Sequence, residues 1–105
     1  MTTADPFVEL LAAAGRRDQR AFARLYELSS ARLFGVALKM LRRRDWAEEV
    51  LQEAFVNIWQ HAADYNTTLA APLTWMTAIV RNRCLDWLRR PQNEVASADE
   101  SLFDS

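Results

Sequence analysis

Residues Pro72 to Arg90, PLTWMTAIVRNRCLDWLRR, hold the densest set of side chains able to do chemistry. Trp75, Met76, Ile79, Val80, Cys84, Leu85 and Leu88 recur at helical spacing and predict a buried stripe. Arg81, Asn82, Arg83, Arg89 and Arg90 lie between or beyond them. A helix of this kind docks on a core while presenting cations and an amide edge outward. Guanidinium groups bind phosphate, and an asparagine amide both donates to and accepts from a base edge. Nucleic acid is the ligand that fits this chemistry.

A second charged set lies on AEEVLQEAFVNIW, Ala47 to Trp59. Glu49, Gln52 and Glu53 fall on one helical face, since residues three and four apart are neighbours. That face reads either as solvated acidic surface or as a dock for a basic partner.

Other chemistries find little support. His61 is the sole histidine and Cys84 the sole cysteine, so an internal disulfide is excluded and a zinc site is not expected. Cys84 falls on the apolar stripe, where inert packing is expected. No nucleophile–base pair or glycine-rich phosphate loop is present, so neither enzymatic activity nor a cofactor is expected. The N-terminal order of acidic then apolar residues is wrong for a secretory signal, and no apolar run is long enough for a membrane span. The single cysteine and the missing signal fit a cytoplasmic protein.

The elements that must position these residues are helices. The 105 residues allow one domain, half of them are hydrophobic and only two are glycine, which predicts an all-α compact bundle of about four helices. The net charge of −1 conceals a division: residues 1–90 carry about +3, and residues 91–105 hold four acids and no Lys or Arg. The expected organisation is a helical domain over 1–90 and an acidic flexible tail or linker over 91–105. Helix one is expected over Pro6 to Ala14, capped by Asp5 and stopped by Gly15. Helix two runs from Asp18 to about Leu41, through Ser29 and Ser30. Asp45 opens helix three with Glu48 completing an acidic capping box. Its buried face is Ala47, Val50, Leu51, Ala54, Phe55, Ile58 and Trp59. Ala63 to Ala71 is a polar loop, Pro72 starts helix four and Pro91 ends it. Trp75 and Trp59 are expected mostly in the core, Trp87 on either face, and Tyr65 in the polar loop, where its ring is placed to meet a ligand.

AFARLY (Ala21–Tyr26), AEEVLQEAFVNIW, a polar loop and LTWMTAIVRNRCLDWLRR, in that order, resemble region 2 of bacterial RNA polymerase sigma factors, and most closely the small extracytoplasmic-function group. The resemblance covers about residues 5–90. It implies a transcription initiation specificity factor. Glu49, Gln52, Glu53 and the adjacent Val56 would dock on the clamp coiled coil of the polymerase β′ subunit; many relatives have aspartate at the position of Glu49. The loop from Tyr65 to Pro72, including Asn66 and Thr67, with Trp75 and Asn82 on the following helix, would recognise the promoter −10 element and hold bases of the non-template strand. Arg81, Arg83, Arg89 and Arg90 would hold phosphates. Stacking on aromatic rings, about 1–3 kcal/mol per base, offsets the cost of extruding bases. An anti-sigma factor is the implied regulator. The family's second helical domain, which reads the −35 element, is absent from this sequence, so a region acting alone is expected to bind weakly. Two readings stay open: Asn82 reads a base or hydrogen-bonds the preceding loop, and the chain is either a DNA-binding factor or a helical protein-interaction module that retains the shape.

Overall fold

The computed structural model describes residues 5–90; the expected tail over 91–105 lies outside them. Four helices follow in order: α1 (Pro6–Gly15), α2 (Gln19–Leu41), α3 (Arg44–His61) and α4 (Pro72–Arg89), with a 3-10 turn at Ala62–Asp64 and no strand among the described residues. The chain is therefore all-α. α2, α3 and α4 pack against one another, and α1 lies on α2 and the 3-10 turn.

Local chemistry explains most boundaries. The Asp5 carboxylate accepts the Phe7 N–H at 2.9 Å, and Pro6 occupies the first helical turn, where its missing N–H costs nothing. The Asp18 carboxylate accepts from the N–H groups of Arg20 and Ala21 at 3.0 and 3.1 Å and starts α2. The buried line of α2 is Ala21, Leu25, Ser29, Leu33, Ala37 and Leu41, every fourth residue. Ser29 sits in this line because its hydroxyl donates to the Leu25 carbonyl at 2.7 Å, so no polar group is orphaned.

Three expectations are corrected. Gly15 does not stop α1 by a left-handed turn; Arg17 does, at φ 69°, with Asp18 N–H reaching back to the Ala13 carbonyl at 3.1 Å. Gly15 is needed for another reason: a Cβ there would come within 2.9 Å of the Ala63 Cα. The capping box at Asp45 does not form. Arg43 is the N-cap residue and contributes no side-chain cap, while the Asp45 carboxylate takes a bidentate contact from Arg43 at 2.8 and 3.1 Å and Glu48 pairs with Arg44 at 3.5 Å. The hydrogen bond from Arg43 holds the Asp45 carboxyl below its ordinary value, and exposure to solvent leaves this a local effect. Finally, Leu85 and Leu88 are not buried. The core line of α4 is Pro72, Met76, Val80 and Cys84; Leu85 lies about 100° around the helix from Cys84, and Trp87 rather than Leu88 closes that end against Trp46, with ring centroids 6.3 Å apart.

Trp59 and Trp75 pack partly buried against the core. Cys84 is fully buried, and desolvation pushes its thiol pKa up, against a smaller opposing pull from Arg81. No helix of the described residues is long and apolar enough to cross a membrane.

Candidate functional site

Two separate regions collect the candidate residues. The first is the outward side of α3. Glu49, Gln52 and Val56 are exposed in a line three and four residues apart, and Val56 is 54% exposed although apolar. Gln52 and Val56 form the rim of a groove between α2 and α3 with a volume of about 570 Å³, walled by Phe22, Tyr26, Phe55 and Trp59. Edge-on ring contacts fix these walls: Phe22 to Trp59 at 5.0 Å and Tyr26 to Phe55 at 4.7 Å. Phe22 and Tyr26 count as core in a reading of helical periodicity alone. The signal that they line a groove is that both flank, rather than occupy, the every-fourth-residue line of α2.

Glu53 does not join this face. It turns toward α4, where Arg83 reaches its carboxylate at 3.0 Å and Arg90 at 3.7 Å. Glu53 and two of the four candidate phosphate-binding arginines thus hold one another.

The second region is the polar side of α4 together with the preceding loop. Tyr65 is half-buried: its ring lies 5.3 Å from that of Trp75, and its hydroxyl donates to the Ala70 carbonyl at 2.6 Å, closing the loop on itself. Desolvation raises the phenol pKa, keeping it a donor. The Asn66 side-chain oxygen accepts from the Thr68 N–H at 2.8 Å and the Thr68 hydroxyl at 2.7 Å, an Asx turn. Thr67 and Leu69 stand exposed at the tip, Leu69 at 82%. Between α3 and α4 is a recess of about 370 Å³ lined by Asn57, His61, Asp64, Trp75, Ile79, Asn82, Arg83 and Asp86. It joins an aromatic ring to two amides, two carboxylates, an imidazole and a guanidinium. His61 Nδ1 lies 3.4 Å from Asp64. Asn57 was not singled out in the sequence, and His61 was weighed only as a metal ligand; the signal for both is their one-turn spacing on the side of α3 that meets α4.

Trp75, Asn82 and Arg83 therefore come together. Arg81 lies around the helix in a different recess, beside Arg32. Arg89 pairs with Asp86 at 3.4 Å, and the Arg90 guanidinium lies 4.7 Å over the Trp87 ring. The arrangement can bind flat, hydrogen-bonding ligands and apolar partner surfaces. Among the described residues no group of three potential ligands is placed to hold a metal.

Comparison with known proteins gives a consistent result. A family model described as sigma-70 region 2 matches residues 25–94. The ECF RNA polymerase sigma factor SigK of Mycolicibacterium vanbaalenii is 32% identical over 94 residues, which is 90% of this chain and 47% of that protein. The protein of the same name from Mycobacterium ulcerans is 32% identical over 99 residues, covering 94% of this chain and 52% of the relative. A Mycobacterium tuberculosis relative, also so named, is 29% identical over 83 residues, covering 79% and 44%. The chain spans about half the length of the curated relatives it matches.

Proposed function

The chain belongs to the sigma-70 region 2 family, and from that premise we propose that it acts in transcription initiation as the part of a sigma factor that binds core RNA polymerase and recognises and helps melt the promoter −10 element. The observation that carries this reading is the recess between α3 and α4 that sets the Trp75 ring and the Asn82 amide on one wall. A base removed from its stack needs a ring to lie on and a donor–acceptor pair at its edge. The Asx turn of Asn66 and the Tyr65–Ala70 hydrogen bond stiffen the loop that precedes α4, which lowers the entropy lost when a strand binds. On the outward side of α3, Glu49, Gln52 and Val56 offer an acid, an amide and an apolar rim to a basic coiled coil of the β′ clamp. Both surfaces are accessible to an anti-sigma factor, which is the proposed regulatory partner, and the setting is cytoplasmic.

A second reading is favoured by one observation. Arg83, Arg89 and Arg90 are all engaged by carboxylates of the same chain, as expected of a protein-interaction module that keeps the shape without holding DNA. The deciding experiment is fluorescence anisotropy with a single-stranded −10 oligonucleotide and its scrambled counterpart, alone and with core polymerase. The sigma reading requires polymerase binding and preference for the −10 sequence in the complex. Polymerase binding without sequence preference would leave the second reading.

A further inference from the structure

Arg17 sits in the turn between α1 and α2 with its backbone in the left-handed region, at φ 69°. Glycine adopts that conformation without steric cost and arginine does not, so the backbone alone gives no reason for an arginine here. The side chain gives one. Its Nη1 donates to the Trp59 carbonyl at 2.6 Å, across 42 residues of sequence, and the guanidinium carbon lies 4.9 Å from the centroid of the Trp59 ring. Trp59 belongs to the last turn of α3, whose carbonyls carry the negative end of the helix dipole. A cation is favoured there twice, at the carbonyl and over the ring face.

The same turn also meets the chain that follows α3. Gly15 stands so close to the 3-10 turn that a Cβ on it would come within 2.9 Å of the Ala63 Cα. Gly15 and Arg16 share a recess of about 300 Å³ with Ala62, Ala63, Tyr65 and Thr67. Beyond Ala63 the contacts run on without a break. The Tyr65 N–H donates to the Ala62 carbonyl at 3.2 Å, the Tyr65 hydroxyl donates to the Ala70 carbonyl at 2.6 Å, and the Tyr65 ring lies against Trp75. The point at which the 65–71 loop leaves α3 is thus held from outside the loop, by the α1–α2 turn. Asn57 and His61, which line the recess between α3 and α4, flank Trp59 on the same stretch of α3.

We propose that Arg17 is a positioning residue for promoter recognition. By holding the end of α3 at the Trp59 carbonyl, it fixes where the 65–71 loop starts and how Asn57 and His61 stand against α4. This rests on the DNA-binding reading above and adds what aligns that site. Arg17 is not among the residues that line the recess, so its effect passes through the end of α3 and the 3-10 turn. A plain helix cap would stabilise α3 and ask nothing of the loop. The chemistry is also specific to a flat cation: lysine keeps the charge and a donor but has no planar face to lay on the Trp59 ring.

The test has two arms, both on the full 105-residue chain. Amide hydrogen exchange compares Tyr65, Thr68 and Leu69, whose N–H groups are bonded within the turn and loop, with Leu33, Ala37 and Leu41 in the buried line of α2. Arg17→Gly suits the backbone and removes both side-chain contacts. It is expected to speed exchange at the three loop amides about tenfold and to leave the α2 amides unchanged. Fluorescence anisotropy, alone and with core polymerase, compares a −10 oligonucleotide with its scrambled counterpart. Arg17→Gly should lower the preference for the −10 sequence about fivefold or more; the lost charge itself weakens both oligonucleotides alike and cancels in the ratio. Arg17→Lys is expected to fall between the parent and Arg17→Gly in both arms. Exchange altered only within α3 makes Arg17 a helix cap and overturns the proposal. Exchange raised equally at the α2 amides makes it a general stabiliser and overturns the proposal as well. A parent preference that Arg17→Gly retains overturns the positioning role alone, whatever the exchange shows. A parent chain without preference, alone and in the complex, overturns the recognition reading and this role with it.

Discussion

Arg83 of α4 donates to the Glu53 carboxylate of α3 at 3.0 Å across 30 residues of sequence. Their side chains are 27% and 30% exposed, so water screens the pair less than it screens the open pairs elsewhere on this surface. Arg90 adds a second cation 3.7 Å from the same oxygen. The carboxylate is thus a tie between the two helices to which the two proposed binding faces are assigned. A polymerase contact at Glu53 would have to compete with two cations already in place, whereas Glu49, one turn earlier, is exposed and faces outward.

Removing that tie should lower stability. Glu53→Gln keeps the shape and removes the charge, leaving Arg83 with Asp86 at 3.8 Å as its remaining ion-pair partner. The expected loss is about 1–2 kcal/mol, between a surface pair and a buried one. Glu53→Lys should cost more, because it sets a third cation beside Arg83 and Arg90. Thermal melts followed by circular dichroism check both; a Glu53→Lys melt matching the parent would show the pair to be energetically idle.

Polymerase docking is better tested at Glu49. Glu49→Lys reverses an exposed charge that has no ion-pair partner among the described residues. Affinity for core polymerase should fall about tenfold, or 1.4 kcal/mol, while stability stays within about 0.5 kcal/mol. Unchanged affinity would move the docking surface elsewhere, with the apolar rim at Val56 the next position to alter.

Features set by neighbours in sequence were readable there. Asp5 and Asp18 start helices through bonds within three residues of themselves, Pro72 starts α4 where its missing N–H costs nothing, and the every-fourth-residue line of α2 marks its own buried side. Features set by another helix were not. Periodicity gives a residue's angle on its own helix but not what stands opposite, so Glu53 read as a twin of Glu49 and Leu85 as core. The Asp45 capping box failed for a local reason: Arg43 claims the carboxylate with two hydrogen bonds. The recess between α3 and α4 was half visible. Trp75, Asn82 and Arg83 lie close together in sequence, whereas Asn57 and His61 reach it from α3.

Gly15 carries a packing prediction whose sign is set by two opposed effects. Alanine is the better helix former by about 0.5–1 kcal/mol. Its Cβ would stand 2.9 and 3.0 Å from the Ala63 Cα and N, backbone atoms that cannot swing aside. Overpacking of this kind costs about 1–3 kcal/mol, so Gly15→Ala should destabilise on balance. A higher urea midpoint would instead show that α1 and the 3-10 turn separate easily.

Asn82→Ala decides whether the recess reads sequence. Asn82 is exposed, and its side chain has no hydrogen bond to the loop among the described residues, whose turns are held by Tyr65 and Asn66. Its loss should therefore leave the melt within about 0.5 kcal/mol of the parent. A loop-supporting role makes the opposite demand, a lower melt and weaker binding to every oligonucleotide. If the amide meets a base edge beside Trp75, the variant should lose about 1–3 kcal/mol on the preferred −10 oligonucleotide and much less on a scrambled one. The salt slope should not change, because every phosphate keeps its cation. That combination separates a base contact from a phosphate contact, whose loss flattens the slope and weakens all sequences alike. Retained discrimination with a normal melt would take Asn82 out of the recognition site and leave Asn57 and His61 as the polar groups able to read a base there.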